Sequence, residues 1–121
     1  MAHLQRCRTF LLCELLYDLL SMQLFCPVLL LFDGDEHLKM IENDEIATDG
    51  VFPMNPSGGV IGSNPIGATA MVRVAEAALQ VLGDAGEHQV KGDINTAMAS
   101  GFGGTMWSVL FLLTKEPPVL N

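Results

Sequence analysis

The sequence predicts an α/β fold in which a mixed sheet packs on one buried helix rich in glycine and alanine. Two observations carry that prediction. From Ile66 to Leu82 the residues are small or apolar nearly all round, with Gly67, Ala68, Ala70, Ala75, Ala77 and Ala78 among Met71, Val72, Val74, Leu79, Val81 and Leu82, the pattern of a helix buried on most sides. Further on, Asp93 to Ser100 and Thr105 to Thr114 alternate or run apolar on either side of a glycine turn, as paired antiparallel strands do. A chain of 121 residues, half of them hydrophobic, has room for one domain with a real core and is too short for two.

The Leu-rich stretch up to Phe32 comes first. Thr9 to Phe32 is apolar over a length able to span a bilayer, and Arg6 and Arg8 precede it as in a signal-peptide n-region. Against a span stand Glu14 and Asp18, each costing roughly 2.5–3.5 kcal/mol on the insertion scale. Pro27 also interrupts the run, and no small-residue cleavage pattern follows. The expectation is a buried helix followed by a short core strand, Val28 to Phe32, with no membrane partner. Asp33 to Asn55 is acidic and polar. Its Asp33-Gly34-Asp35 and Asp49-Gly50 turn signals predict loop with short strands at most. Asp33, Asp35, Asn43, Asp44 and Glu45 lack calcium-loop spacing, so no metal is expected.

Charge and cysteine content narrow the function classes. With 14 acidic against 6 basic residues, the formal net charge of -8 repels phosphate backbones and argues against a nucleic-acid partner. Cys7, Cys13 and Cys26 are odd in number and lack C-x-x-C spacing, so a reducing, cytoplasmic setting is expected rather than a disulfide framework or a zinc site.

The most informative stretch runs from Asn55 to Ala70, Asn-Pro-Ser-Gly-Gly-Val-Ile-Gly-Ser-Asn-Pro-Ile-Gly-Ala-Thr-Ala. Gly58 and Gly59 permit backbone angles closed to other residues, and Val60 and Ile61 read as a short buried strand. Ser63 or Asn64 can cap the helix with Pro65 at its first position, and Gly83 is placed to end it. Arg73, Glu76 and Gln80 form its polar stripe at helical spacing. A helix start reached through a glycine loop offers backbone N–H groups to a developing negative charge. Simple capping of a core helix is the blander reading, and both stay open on spacing alone. His88, in Gly86-Glu87-His88-Gln89-Val90, reads as a surface-loop histidine with no second ligand. Trp107 to Leu113 is expected to be buried on both faces of the sheet.

The stretch from Asn55 resembles the thiolase signature N-x-x-G-G-x-x-x-x-H-P-x-G-A-[ST], and it is especially similar to the sterol-carrier and lipid-transfer branch of that superfamily. Leu16-Tyr17-Asp18-Leu19-Leu20-Ser21 resembles the branch's Y-D-x-F-S loop. Ile46 to Pro53 leads into the signature as in the family, and Gly101-Phe102-Gly103-Gly104-Thr105 with Trp107 to Lys115 is similar to its closing turn and last strand. The resemblance divides the chain into an unmatched segment, residues 1–15, and a partial thiolase C-terminal-like domain, residues 16–121. It implies one of two similar α/β halves that assemble around a shared helix layer. It also implies acyl-CoA chemistry in lipid metabolism, with acyl-CoA or CoA as substrate, no further cofactor, and a cysteine nucleophile in the other half.

The positions that resemblance singles out are Tyr17 and Asn64 as catalytic residues, with Gly58, Gly59, Ser63, Gly103 and Gly104 forming the oxyanion and substrate loops. The sequence departs from the family at the chemistry itself. Tyr17 stands at the His or Asn position of its loop, Asn64 stands where the signature histidine belongs, and the turn from Ser100 to Gly104 carries no cysteine. An asparagine amide can donate to an oxyanion but cannot take up a proton as imidazole does. The resemblance therefore leads to a C-terminal fragment or subunit of a thiolase-like acyl-CoA C-acyltransferase that acts with a homo- or hetero-oligomeric partner bearing the first half. A non-catalytic fold remnant or dimerisation module stands beside it, as does part of a retro-aldolase acting on steroid or lipid CoA thioesters. A half that normally packs on its twin is expected to expose an apolar patch on the helix or the last strand and to self-associate.

Overall fold

In the computed structural model the described residues are 12–13, 35–63, 65–103 and 107–116. The expected strand Val28 to Phe32 lies outside them. The sheet is mixed, in the order β1 (Leu12–Cys13), β2 (Thr96–Gly103), β3 (Trp107–Thr114). β1 runs parallel to β2 through Leu12↔Met98 and Cys13↔Ala99. β2 and β3 form the expected antiparallel hairpin, in register from Thr96↔Thr114 to Gly103↔Trp107.

The acidic segment is more helical than expected. Residues Glu36–Glu42 form α1, which corrects the reading of that stretch as loop with short strands. Backbone N–H groups of Leu38 and Lys39 turn back onto the Asp35 carbonyl, and Glu36 in the first turn suits the positive end of the helix. Two turns with apolar side chains at Leu38 and Ile41 are too short to announce a helical period. The chain then bends at Asp44, whose φ is 56°, and Phe52 and Met54 donate to the carbonyls of Glu45 and Ile46 at 2.9 and 3.0 Å.

A second short helix, α2 (Gly59–Gly62), replaces the buried strand expected from Val60 and Ile61. Ile61 is fully exposed, at 101% of its reference surface. Two apolar residues between glycines carry no period, and the left-handed angles of Gly58 (88°) and Gly59 (57°) curl the chain into a single turn. The long helix follows as a 3-10 turn, Ile66–Ala68, running into α3 (Thr69–Leu82). Gly83, at φ 83°, closes it with its N–H on Gln80 and that of Asp84 on Leu79, the glycine stop the sequence predicts.

The core lies between α3 and one face of β2, where Ala77, Val81, Val90, Ile94, Ala97 and Ala99 form one cluster. Small residues let the layers approach closely. A Cβ on Gly101 would stand 2.7 Å from the Cβ of Ala70, so Gly101→Ala is expected to cost about 1–3 kcal/mol by overpacking, readable as a lowered thermal midpoint. An unchanged midpoint would mean that α3 shifts freely over the sheet.

The open end of the hairpin is tied by charge. Lys115 Nζ donates to Asp93 Oδ1 at 2.6 Å and its backbone N–H reaches the Asn95 carbonyl at 3.0 Å. The Lys115 hydrogen bond and charge hold the Asp93 carboxyl below its ordinary value of 3.8. A carboxyl depressed in the folded state adds stability that is complete above its unfolded pKa and lost as pH falls through the folded one. This exposed clasp should therefore weaken only in acid below about pH 4. A carboxyl NMR titration should place the Asp93 midpoint below 3.8 and move it up in Lys115→Ala.

The last strand departs from expectation. Val109, Leu110, Phe111 and Leu112 are all exposed, correcting the reading of Trp107 to Leu113 as buried on both faces. Phe111 and Val109 stand opposite Ala99 and Gly101, on the helix-covered side, while Leu110 and Leu112 stand opposite Ser100 and Met98. Both faces of β3 thus leave apolar side chains uncovered in the single chain, as expected of a half-domain.

Candidate functional site

The polar stripe of α3 points into the protein. Arg73, Glu76 and Gln80 are exposed by only 1%, 5% and 1%, whereas Met71 and Leu82 on the opposite side are exposed by 69% and 68%. Burying polar side chains is costly unless each finds a partner. Here the loops on either end of the helix supply those partners.

At the C-terminal half, Gln80 is the hub. Its Nε2 donates to Glu76 Oε1 (3.0 Å) and to the His88 carbonyl (2.8 Å), and its Oε1 accepts from Gln89 Nε2 (3.0 Å) and the Val90 N–H (2.9 Å). Both donors and both acceptor positions of the amide are used. His88 sits in a 3-10 turn, Gly86–His88, with Nε2 3.0 Å from Glu76 Oε2. It is therefore a partner of a buried carboxylate rather than a loop histidine facing only water. This network locks the α3-to-β2 connection and has the character of a structural polar core.

At the N-terminal half, Arg73 reaches the glycine loop. Its Nη1 donates to Ser57 Oγ at 3.4 Å and its Nη2 to the Ser63 carbonyl at 2.5 Å. Within the loop, Gly58 N–H goes to Asn55 O (2.9 Å), Gly62 to Gly58 O (3.0 Å) and Ser63 to Gly59 O (3.2 Å). Two of the loop positions named from the sequence, Gly58 and Ser63, thus use their N–H groups inside the loop. Gly59 is buried at the first position of α2, where backbone N–H groups lie beyond the reach of intrahelical acceptors.

The entry to α3 also differs from expectation. The N-cap positions are Pro65 for the 3-10 turn and Ala68 for α3, neither with a side-chain cap, and Ser63 is extended at φ -158°; the other cap candidate, Asn64, lies outside the described residues. Ile66 takes φ 50° with its side chain in solvent. A β-branched residue in the left-handed region is strained, and strain of that kind persists only where the surroundings hold it.

The fold brings most of the named loops to one end. Gly101 packs on Ala70, in the first turn of α3, and Gly103 closes β2 opposite Trp107, so this end of the hairpin adjoins the helix start that carries the glycine loop. Tyr17, Asn64 and Gly104 lie outside the described residues. Among the described residues no group of three or more His, Cys, Asp or Glu side chains is placed to hold a metal ion, and no helix is long and apolar enough to cross a membrane. Sequence reasoning saw the 73/76/80 spacing but not its direction, and so it missed Arg73 as a loop contact. The signal lay in Ser57, whose hydroxyl accepts from Arg73; the Ser63 contact is to its backbone carbonyl and leaves no mark on residue type.

Two comparisons with known proteins bear on this arrangement. Residues 15–116 match the family described as thiolase C-terminal domain-like. An acetyl-CoA acetyltransferase of Methanothermobacter thermautotrophicus is 38% identical over 68 residues, which cover 55% of this chain and 18% of that protein. The matched part is thus a small portion of that relative's length.

Proposed function

This chain belongs to the thiolase C-terminal domain-like family, and from that premise we propose that it is the C-terminal piece or subunit of a thiolase-like acyl-CoA C-acyltransferase. It contributes one wall of the thioester pocket and part of the oxyanion site. The observation that carries this reading is the glycine loop anchored on the start of α3, beside the end of β2, while the opposite side of α3 and both faces of β3 stay apolar and uncovered. A pocket wall with uncovered apolar flanks calls for a complementary half, and a thiolase-like half with a cysteine nucleophile fits.

In that assembly the thiolate attacks the thioester carbonyl and the oxygen that gains charge needs preorganised donors. The first-turn amide of Gly59 and the side-chain amide of Asn64 are the proposed donors from this chain, and Tyr17 the proposed weak acid. Gly103 and Gly104 shape the substrate side. Acyl-CoA is the substrate, no further cofactor is involved, and the setting is cytoplasmic.

The test is CoA release or exchange from acyl-CoA by the purified chain, alone and mixed with a cysteine-bearing first half. Activity is expected only in the mixture. Inactivity with every such half would sink the proposal. The second reading, a non-catalytic remnant or dimerisation module, is favoured by one observation: Gly58 and Ser63 spend their N–H groups inside the loop, leaving fewer donors for a substrate.

A further inference from the structure

We infer that Arg73 is the positioning residue of the glycine loop, its buried guanidinium spanning the two ends of the Ser57–Ser63 segment and fixing the loop's shape. The fork touches Ser57 through Nη1 and Ser63 through Nη2, so one planar group sets the separation of the first and last residues of the loop. Between them lie Gly58 and Gly59, at φ 88° and 57°, the two residues freest to rotate. Without a tether, such a loop samples many shapes.

The energetics argue that this contact is more than packing. Both acceptors are neutral, Arg73 Nε is buried with no hydrogen-bond partner, and neither ion pair among the described residues includes Arg73. A buried cation with no carboxylate on it is a costly space-filler, and an apolar side chain of similar volume is generally the more stable choice. What an apolar residue lacks is the pair of directed donors. The strained Ile66 follows three residues after Ser63, where a fixed loop end would help hold that angle. The inferred role rests on the thioester-pocket reading for its purpose, but its geometry stands without it.

Amide hydrogen exchange on the full chain provides the test, comparing the parent with Arg73→Met, Arg73→Lys and the mild variant Ser57→Ala. In Arg73→Met, the Gly62 and Ser63 amides should exchange about tenfold faster or more, while Val81 to Gly83 and the β2 amides keep their protection. Arg73→Lys, with a charge but no fork, should restore protection only in part, and Ser57→Ala should give a smaller acceleration confined to the loop. Unchanged loop exchange in Arg73→Met overturns the inference, as does equal acceleration across α3 and β2, which marks general destabilisation. If Arg73→Met fails to fold, Arg73→Lys and Ser57→Ala decide by the same local pattern. Exchange is read without substrate, so a failure of the acyl-CoA reading leaves this outcome distinct.

Discussion

Gln80→Ala is expected to destabilise the chain by about 2–4 kcal/mol, because it strands several buried polar groups at once, each worth about 1–3 kcal/mol when left unpaired. The Val90 N–H, the His88 carbonyl, Gln89 Nε2 and Glu76 Oε1 would each lose a partner. Against a total stability of about 5–15 kcal/mol for an ordinary domain, that is a large fraction. At about 4–8 °C per kcal/mol for a small domain, the thermal midpoint should fall by about 8–30 °C. Gln80→Met, which keeps the volume and removes the amide, should fall nearly as far, separating hydrogen bonding from packing. A shift of only a degree or two in a circular dichroism melt for both variants would show that the network does not hold the connection.

The second large effect is on association. The isolated chain should form oligomers through α3 and β3, where Met71, Leu82 and the run Val109 to Leu112 face solvent. Apolar surface contributes about 25 cal/mol per Å² when removed from water, and contiguous patches of this kind are rarely left open on a monomer. Met71→Lys with Leu82→Lys addresses the helix side, and Leu110→Lys with Leu112→Lys the strand. Since these positions are exposed, the single chain should tolerate the lysines, while sedimentation velocity shifts from oligomer towards the monomer mass. A parent chain that sediments as a monodisperse monomer would contradict the expectation directly, and would remove the argument for a complementary half.

Much of the frame could be read from residue order. The 3.6 spacing and the glycine at Gly83 marked α3 nearly to the residue, and the apolar runs around the closing glycine turn marked the hairpin. Both signals are long, and both depend on local chemistry. What escaped was short or non-local. α1 and α2 have too few residues for a period, and two adjacent apolar residues at Val60 and Ile61 fit a strand or a turn equally well until the glycine angles decide. The direction of α3 was not legible for a different reason: a polar stripe faces water by default, and only partners 8–16 residues away, Ser57, His88 and Val90, turn it inward. Of the residues named for chemistry, Gly58, Gly59 and Ser63 gather at the start of α3, with Gly103 at the adjoining end of β2.

The inward polar stripe of α3 has a consequence inside a cell. A helix that hides its polar side and presents methionine and leucine outward is what chaperones and proteases recognise as an unassembled subunit. Under the proposed pairing with a complementary half, the chain's steady-state abundance would follow the supply of that half rather than its own rate of synthesis. A pulse-chase half-life that lengthens when a complementary half is co-expressed, and not when an unrelated protein is, would reveal that dependence.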